Sequence, residues 1–220
     1  MSGHSHAKNV KRTKDANAQK KSFSFAKISK NITLLAKQGS PALKTMIEKA
    51  KKENMPKDSI EKAIKRGTGE LKDEVSLEEF TLEAYGPEGT ALIAEGITDN
   101  KNRTISEFKM IINKYGGKPA ESGSVKWLFD KLGVIRTNYS EELELQAIDL
   151  GALDVKKENN SIIILVSLDN IDNFKDNFDI SLEWVAKEYI NISNKEKIDS
   201  LVKELESSED IEQVFVNTKL

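Results

Sequence analysis

Apolar residues recur at helical spacing through the first third of the chain, which predicts three amphipathic helices. Each helix has its own stripe of residues that would face a common core. In chain order the stripes are Phe25, Ile28, Ile32 and Leu35; Leu43, Ile47 and Ala50; and Ile60, Ala63 and Ile64. Residues 1–21 contain no large apolar residue except Val10, so this segment is expected to be either a mobile arm or a helix that becomes ordered on a partner.

The third of these helices is expected to begin at Pro56 and to end at Gly67. A proline lacks only an N–H that a first helical turn leaves unpaired, and a glycine can close a helix in the left-handed conformation. The outer face carries two oppositely charged pairs, each four residues apart in the favourable order, namely Asp58 with Lys62 and Glu61 with Lys65. We therefore predict a short amphipathic helix with a cationic end.

After residue 75 the apolar period changes from 3.6 to 2, which predicts strands. The expected order is strand, strand, helix, strand; then strand, helix, strand, strand, short helix, strand; then helix and strand. One expected strand is Ser124–Asp130, and the last is Ile211–Val216. Capping-box spacing at Thr104–Glu107 and Ser193–Glu196 predicts two helix starts.

This order predicts an α+β fold with a helical N-terminal domain and two ferredoxin-like, split βαβ domains. The middle block forms a complete split βαβ unit by itself, whereas the outer pieces form one only if the last helix and strand fold back. The expected domains are a basic helical domain, 1–72, a discontinuous domain, 76–132 plus 193–220, and an inserted domain, 134–192. The alternative is one larger mixed sheet.

Charge is divided unevenly along the chain, although the net charge is only −2. Residues 1–70 contain 17 Lys and Arg against 6 Asp and Glu, whereas residues 71–220 contain 17 against 30. The first part therefore has a net charge of +11 and the rest −13. A local basic field of this kind favours a polyanionic partner, and the competing interpretation is a solvated, lysine-rich surface.

Few residues are suited to catalysis or metal binding. The chain has no cysteine, which excludes disulfides and zinc–thiolate sites, and His4 and His6 are its two histidines. A copper or nickel site at Ser2-Gly3-His4 is far less favoured than a mobile polar terminus. We predict no catalytic residue, no metal and no cofactor, hence a protein that is not an enzyme. No secretory signal or membrane span is expected, and the Ser- and Lys-rich, acid-poor start only faintly suggests a mitochondrial transit peptide.

The segment Thr98–Thr104 lies at an expected strand-to-helix junction and allows two interpretations. Free backbone N–H groups together with Lys101 and Arg103 could bind a phosphate. Alternatively, Asp99, Asn100 and Asn102 could cap their own backbone.

Several stretches together resemble the YebC/PmpR family, which includes bacterial regulators and the mitochondrial translational activator of cytochrome c oxidase. They are Met1–Ser5, Asn54–Asp58, Arg66–Glu70, Tyr85–Gly89, Thr98–Thr104 and Gly123–Val125. The resemblance spans essentially the whole chain. It implies a helical domain followed by two α+β domains in a cytoplasmic, cofactor-free protein linked to nucleic acid. The chain departs from the usual pattern after Ser5, where His6-Ala7 stands in place of Lys-Trp, so a possible stacking aromatic is absent.

We therefore expect a regulator of gene expression that binds double-stranded DNA through phosphate contacts, with the acidic domains facing protein partners. The alternatives are a ribosome-associated translation factor that binds ribosomal or transfer RNA, and a protein-interaction scaffold. Backbone contacts give affinity and salt dependence rather than sequence choice. The predicted nucleic-acid-binding residues are Lys8, Lys11, Arg12, Lys14, Lys20, Lys21, Lys62, Lys65, Arg66, Lys101 and Arg103.

Overall fold

The structure is a computed structural model that describes the backbone of residues 4–71 and 76–219 and the side chains of this part from residue 21 onward. It contains an N-terminal helical region and two antiparallel sheets, which confirms the predicted α+β fold class. The helices are α1 (His4–Gln38), α2 (Ala42–Lys52), α3 (Lys57–Gly67), α4 (Lys101–Lys114), α5 (Glu141–Asp149) and α6 (Lys195–Glu206). The strands are β1 (Glu78–Tyr85), β2 (Ala91–Thr98), β3 (Lys118–Ala120), β4 (Phe129–Asn138), β5 (Asp154–Glu158), β6 (Ser161–Val166), β7 (Ser181–Ala186) and β8 (Ile211–Val216).

The helical region packs around the stripe that the sequence predicted. Ile28 and Ile32 of α1 are buried with Ala50 of α2 and with Ile60 and Ala63 of α3. The backbone of residues 4–20 continues this helix, and whether this part becomes ordered on a partner stays a prediction. Gly39, with φ 63°, directly follows α1 in the left-handed conformation.

The first sheet has the strand order β3-β1-β2-β8, and every neighbouring pair is antiparallel. Strand β2 leads through α4 to β3 with β1 between them, which is a split βαβ connection. One face of this sheet packs against α4 and α6 through Leu92, Ala94, Phe108 and Leu201, among others. The last strand returns to the first sheet, because β8 pairs with β2.

The second sheet has the order β5-β6-β4-β7, again with antiparallel neighbours. Its strands follow the ferredoxin-like order, with α5 as the first crossover and a short 3₁₀ segment, Leu168–Asn173, in place of the second helix. Ile135, Ile162 and Ile164 line the core beneath α5 together with Phe174.

The strand expected at Ser124–Asp130 is wrong. The third strand of the first sheet is instead Lys118–Ala120, and residues 129–132 open β4 of the second sheet by pairing with β7. The apolar residues that suggested a strand, Val125 and Phe129, are buried with Ala91 and Ile93 between the two sheets. Burial at this interface accounts for the apolar character of both, although Phe129 also lies in a strand, where it pairs with Ala186 of β7.

Two predicted helix starts are displaced, and both displacements follow from local capping. Helix α4 begins at Lys101, because the Asn100 side chain accepts the Arg103 N–H at 3.1 Å, and Thr104 is buried inside the helix. Helix α6 is capped by Asn194, whose side chain accepts the Lys197 N–H at 3.0 Å. The expected boxes at Thr104–Glu107 and Ser193–Glu196 are therefore wrong by four residues and one residue respectively.

Candidate nucleic-acid interface

Helix α3 presents an exposed stripe of cations that includes three of the predicted phosphate-binding residues. Burial of Ile60 and Ala63 against α1 turns Lys62 and Lys65 to solvent, and these two side chains are exposed. Arg66 is half-buried, and its Nε has no hydrogen-bond partner within the described part of the chain. Residues three and four apart lie on one helical face, so the three cations can meet one extended anion together.

The ion pairs expected within α3 are not the ones observed. Among the described residues, Glu61 pairs with Lys57, with Nζ and Oε1 3.6 Å apart, and Lys62 and Lys65 have no carboxylate partner. The expectation of Asp58–Lys62 and Glu61–Lys65 pairs is therefore wrong. The consequence is that the ammonium groups of Lys62 and Lys65 are not neutralised within this region.

The orientation of α3 is fixed by a close approach to α1. A side chain at Gly67 would place its Cβ 2.3 Å from the Thr33 carbonyl oxygen and 2.6 Å from the Ala36 Cβ. Thr33 also donates its hydroxyl to the Ala63 carbonyl oxygen at 3.1 Å. The left-handed closure expected at Gly67 is wrong, since Gly69 takes that conformation, with φ 78°. Gly67 is thus needed for helix–helix contact, not for a turn.

The predicted cations near the start of α1 can be placed only in part. Lys8, Lys11, Arg12, Lys14 and Lys20 belong to α1, but their side chains lie outside the described residues. Lys21 is exposed, and its Nζ lies 5.5 Å from the centroid of the Phe25 ring. The phosphate contacts predicted for all six remain predictions.

Further along α1, two lysines that the sequence analysis did not single out attach the helical region to the first sheet. Lys27 donates to the Glu206 carbonyl oxygen at 2.6 Å, and Lys30 forms an ion pair with Asp210. Asn31 donates to the side chain of Glu212. Burial lowers the pKa of Lys27, against the opposing effect of nearby carboxylates, and burial raises the pKa of Glu212. This side of α1 therefore faces the protein itself.

Asp210 is the centre of a buried polar network at the start of β8. It is 2% exposed and accepts hydrogen bonds from Lys30, from the Arg103 guanidinium at 2.9 Å and from the Thr104 hydroxyl at 2.7 Å. Burial alone would raise the pKa of this carboxyl. The bonds from Lys30, Thr104 and Arg103 outweigh that effect and hold its pKa at about 2, below the ordinary 3.8.

The predicted cations of the strand-to-helix junction have carboxylate partners. Arg103 bonds Asp99 at 2.7 Å as well as Asp210, and Lys101 lies 4.0 Å from Glu78. Hydrogen bonding to Asp210 raises the pKa of the Arg103 guanidinium, against the opposing effect of desolvation. Of the two interpretations of this segment, the capping one has an observed hydrogen bond, made by Asn100. A phosphate contact by Lys101 or Arg103 stays a prediction that competes with these internal pairs.

No group of three or more His, Asp or Glu side chains among the described residues is arranged to hold a metal ion. In the same part of the chain, no helix combines the length and apolar character that crossing a membrane would require.

Comparison with known proteins places the chain in a family. Residues 5–70 match the TACO1/YebC protein N-terminal domain, and residues 77–218 match the TACO1/YebC second and third domain. The chain belongs to the TACO1/YebC family. Proteins called "probable transcriptional regulatory protein" from Thermotoga petrophila and Kosmotoga olearia are each 38% identical to it. The alignments cover 100% of this chain and 94% and 95% of those relatives.

A solved structure that is similar to this chain is that of a conserved hypothetical protein from Aquifex aeolicus. Its crystal structure superposes with a TM-score of 0.77 at 34% sequence identity and covers 90% of each chain. At this identity the likeness supports the family assignment as well as the fold.

Two motifs that carried the YebC resemblance have structural roles that sequence reasoning missed. Glu88, in Tyr85–Gly89, accepts the backbone N–H groups of Ser193 at 2.7 Å and Asn194 at 3.0 Å, next to the start of α6. These bonds lower the pKa of Glu88. Its φ of 56° is unusual for a residue other than glycine, and marks a turn held in place by these contacts.

The second motif, Gly123–Val125, is held by a buried carboxylate. Glu83 of β1 is 2% exposed and accepts the N–H groups of Gly123 and Val125 at 2.7 Å each and that of Lys126 at 3.0 Å. Burial would raise the pKa of Glu83, but these three bonds lower it overall. The alternation of β1 gave no signal for this role, because a polar residue at this position is also expected on a solvated face.

Proposed function

We propose that this TACO1/YebC protein is a nucleic-acid-binding regulator of gene expression, and that it binds double-stranded DNA through phosphate contacts. The observation that carries the proposal is the stripe of Lys62, Lys65 and Arg66 on α3, for which the described residues supply no carboxylate partner. A buried N–H without a partner is uncommon in native proteins, and a bound anion is one way to satisfy it. The names of the transcriptional relatives support the regulatory role.

The lysines of α1 and α3 differ in whether they have partners within the protein. Lys27 and Lys30 are tied to the first sheet, whereas Lys62 and Lys65 of α3 are exposed. The net negative charge of residues 71–220 would favour α3, in the basic part of the chain, as the site of duplex binding. In this proposal the protein is not an enzyme, needs no cofactor and acts in the cytoplasm.

We also propose three domains, with the division corrected at one boundary. Residues 1–72 form the helical domain. Residues 129–132, expected in the discontinuous domain, go with the inserted one, because they pair with β7.

The test is a titration of a labelled DNA duplex at several salt concentrations. The variant Lys62→Gln/Lys65→Gln/Arg66→Gln should bind more weakly on every sequence, and its slope of log K against log salt should fall by about 3. The matched control is Lys109→Gln/Lys195→Gln/Lys203→Gln, which removes the same charge from exposed sites on α4 and α6. Its binding should stay near wild type.

Each other outcome has a definite meaning. Equal loss in both variants contradicts a specific role for α3, and altered sequence preference without loss of affinity contradicts phosphate contact. A structured RNA hairpin in a parallel titration tests the translational alternative, since the tighter ligand identifies the class of nucleic acid. No binding at low salt leaves only the scaffold.

A further inference from the structure

Two exposed aromatic rings converge on one backbone carbonyl far from α3 in sequence. The Tyr85 hydroxyl donates to the Ser124 carbonyl oxygen at 3.0 Å, and the Trp127 indole N–H donates to the same oxygen at 2.9 Å. Trp127 is 65% exposed and Tyr85 is 39% exposed. We call this pair the aromatic shelf. Its polar atoms are satisfied internally, so the shelf offers a partner its ring surfaces rather than hydrogen bonds.

The shelf is rigidly supported from beneath. Glu83 binds three turn amides around Ser124, and Val125 and Phe129 on either side of Trp127 are buried between the sheets. A tryptophan on such a turn has lost conformational freedom before any ligand arrives. A partner that stacks on it therefore meets a preorganised surface, which favours binding.

Positive charge lies beside the rings. Lys118 is directly opposite Tyr85 in the β1–β3 ladder and therefore on the same face of the sheet, and it is exposed without a carboxylate partner among the described residues. Lys126 precedes Trp127, but its Nζ lies outside the shelf, 5.6 Å from the ring centroid of Trp184. Aromatic rings flanked by lysines are the elements with which proteins bind single-stranded nucleic acid.

We propose that the aromatic shelf binds an unpaired nucleobase by stacking, with Lys118 near an adjoining phosphate. A protein partner fits less well, because the exposed area of the two rings is roughly a quarter of the 800 Å² per side of a standard protein interface. The inference rests on the proposed function in requiring a nucleic-acid ligand. It adds a second, base-contacting surface on the first sheet to the phosphate contacts of α3.

The test compares a labelled duplex with a short labelled oligodeoxythymidylate. Trp127→Ala should weaken binding of the single strand by about tenfold and leave duplex binding unchanged, and Trp127→Phe should retain most of the affinity. Tyr189→Ala removes another exposed aromatic ring, which lies beside Lys219, and should change neither duplex nor single-strand binding. Stacking should also quench tryptophan fluorescence in the wild type but not in Trp127→Phe, where Trp184 is the remaining tryptophan.

The duplex and single-strand titrations distinguish the proposed function from the proposed base-stacking site. Suppose that duplex binding depends on α3, but wild type and Trp127→Ala bind the single strand equally well. The base-stacking proposal is then overturned, and the proposed function stays intact. If neither nucleic acid binds to the wild type, both proposals are overturned. Equal loss in Tyr189→Ala also rejects a site centred on Trp127.

Discussion

Lys30 of α1 forms an ion pair with Asp210, which lies 180 residues further along the chain at the start of β8. The side chains of these residues are 18% and 3% exposed. The bond joins the helical region to the first sheet, and Arg103 of α4 shares the same carboxylate. Asp210 therefore links α1, α4 and the start of β8, and it turns Lys30 of α1 toward the protein.

Asp210→Asn should destabilise the protein by about 2 kcal/mol, because it leaves the partly buried ammonium of Lys30 without its counter-charge. The measurement is urea unfolding at neutral pH. Asp176→Asn is the matched control, since Asp176 is exposed. A variant as stable as wild type would show that the network adds no net free energy.

The same carboxylate should produce a dependence of stability on pH. The pKa of Asp210 is about 2 in the folded protein, whereas the ordinary pKa of an aspartate, which we expect in the unfolded chain, is 3.8. The unfolded chain therefore binds the proton first, and the stabilisation present above about pH 4 should be lost as the pH falls toward 2. The difference in unfolding free energy between wild type and Asp210→Asn should stay constant down to pH 4 and then shrink.

Glu206 and Glu212 change the unfolding free energy in the opposite direction from Asp210, and they do so at higher pH. Burial raises the pKa of Glu206 and of Glu212 above the ordinary 4.5 of a glutamate. As the pH falls toward 4.5, their protonation stabilises the folded state. During acidification this gain comes before the loss of stability caused by Asp210. A difference curve between wild type and Asp210→Asn that changes above pH 5 would contradict the assignment.

Gly67→Ala distinguishes helix propensity from packing by the sign of its effect. Propensity alone predicts a gain of about 1 kcal/mol, since alanine is the better helix former. The added Cβ would lie 2.3 Å from the Thr33 carbonyl oxygen, so we expect a loss of about 1–3 kcal/mol from overpacking. Thermal unfolding followed by circular dichroism measures the change. Thr68→Ala, at the exposed next position, is the control, and a stabilised Gly67→Ala protein would contradict the close approach.

Glu83→Gln should loosen the turn that carries the aromatic shelf. The neutral amide offers one acceptor oxygen in place of two charged ones, so the three backbone N–H groups lose part of their hydrogen bonding. We expect a loss of about 2 kcal/mol in stability. Amide hydrogen exchange should become faster at Gly123 and Val125 relative to amides in β6. Unchanged exchange at these amides would show that the turn does not depend on the carboxylate.

Periodicity predicted those parts of the fold that local patterns specify. The stripe of Ile28 and Ile32, and the strand Ile211–Val216, are where the sequence placed them. The cationic face of α3 was equally visible, because burial of Ile60 and Ala63 leaves Lys62 and Lys65 outside. In each case neighbours three, four or two positions apart decide which way a side chain points.

Contacts over long sequence separation could not be predicted in this way. Val125 was wrongly assigned to a strand, because the pattern shows that it is apolar but not which surface buries it. Trp127 and Tyr85 were not recognised as a pair, since they meet only through the Ser124 carbonyl. The polar role of Glu83 was hidden by an alternation that fits a solvated strand equally well.

The sequence by itself determined most of the helical and strand segments, the basic character of the first 70 residues and the family to which the chain is similar. These follow from local periodicity, from charge counts and from motifs that are contiguous in the chain. Tertiary structure alone decided which lysines remain available, because Lys27 and Lys30 find partners around 180 residues away while Lys62 and Lys65 have no carboxylate partner in the described part of the chain. Whether a carboxylate neutralises a lysine depends on the distance between them in space. For residues so far apart in sequence, that distance is set by how the helices and strands pack against one another.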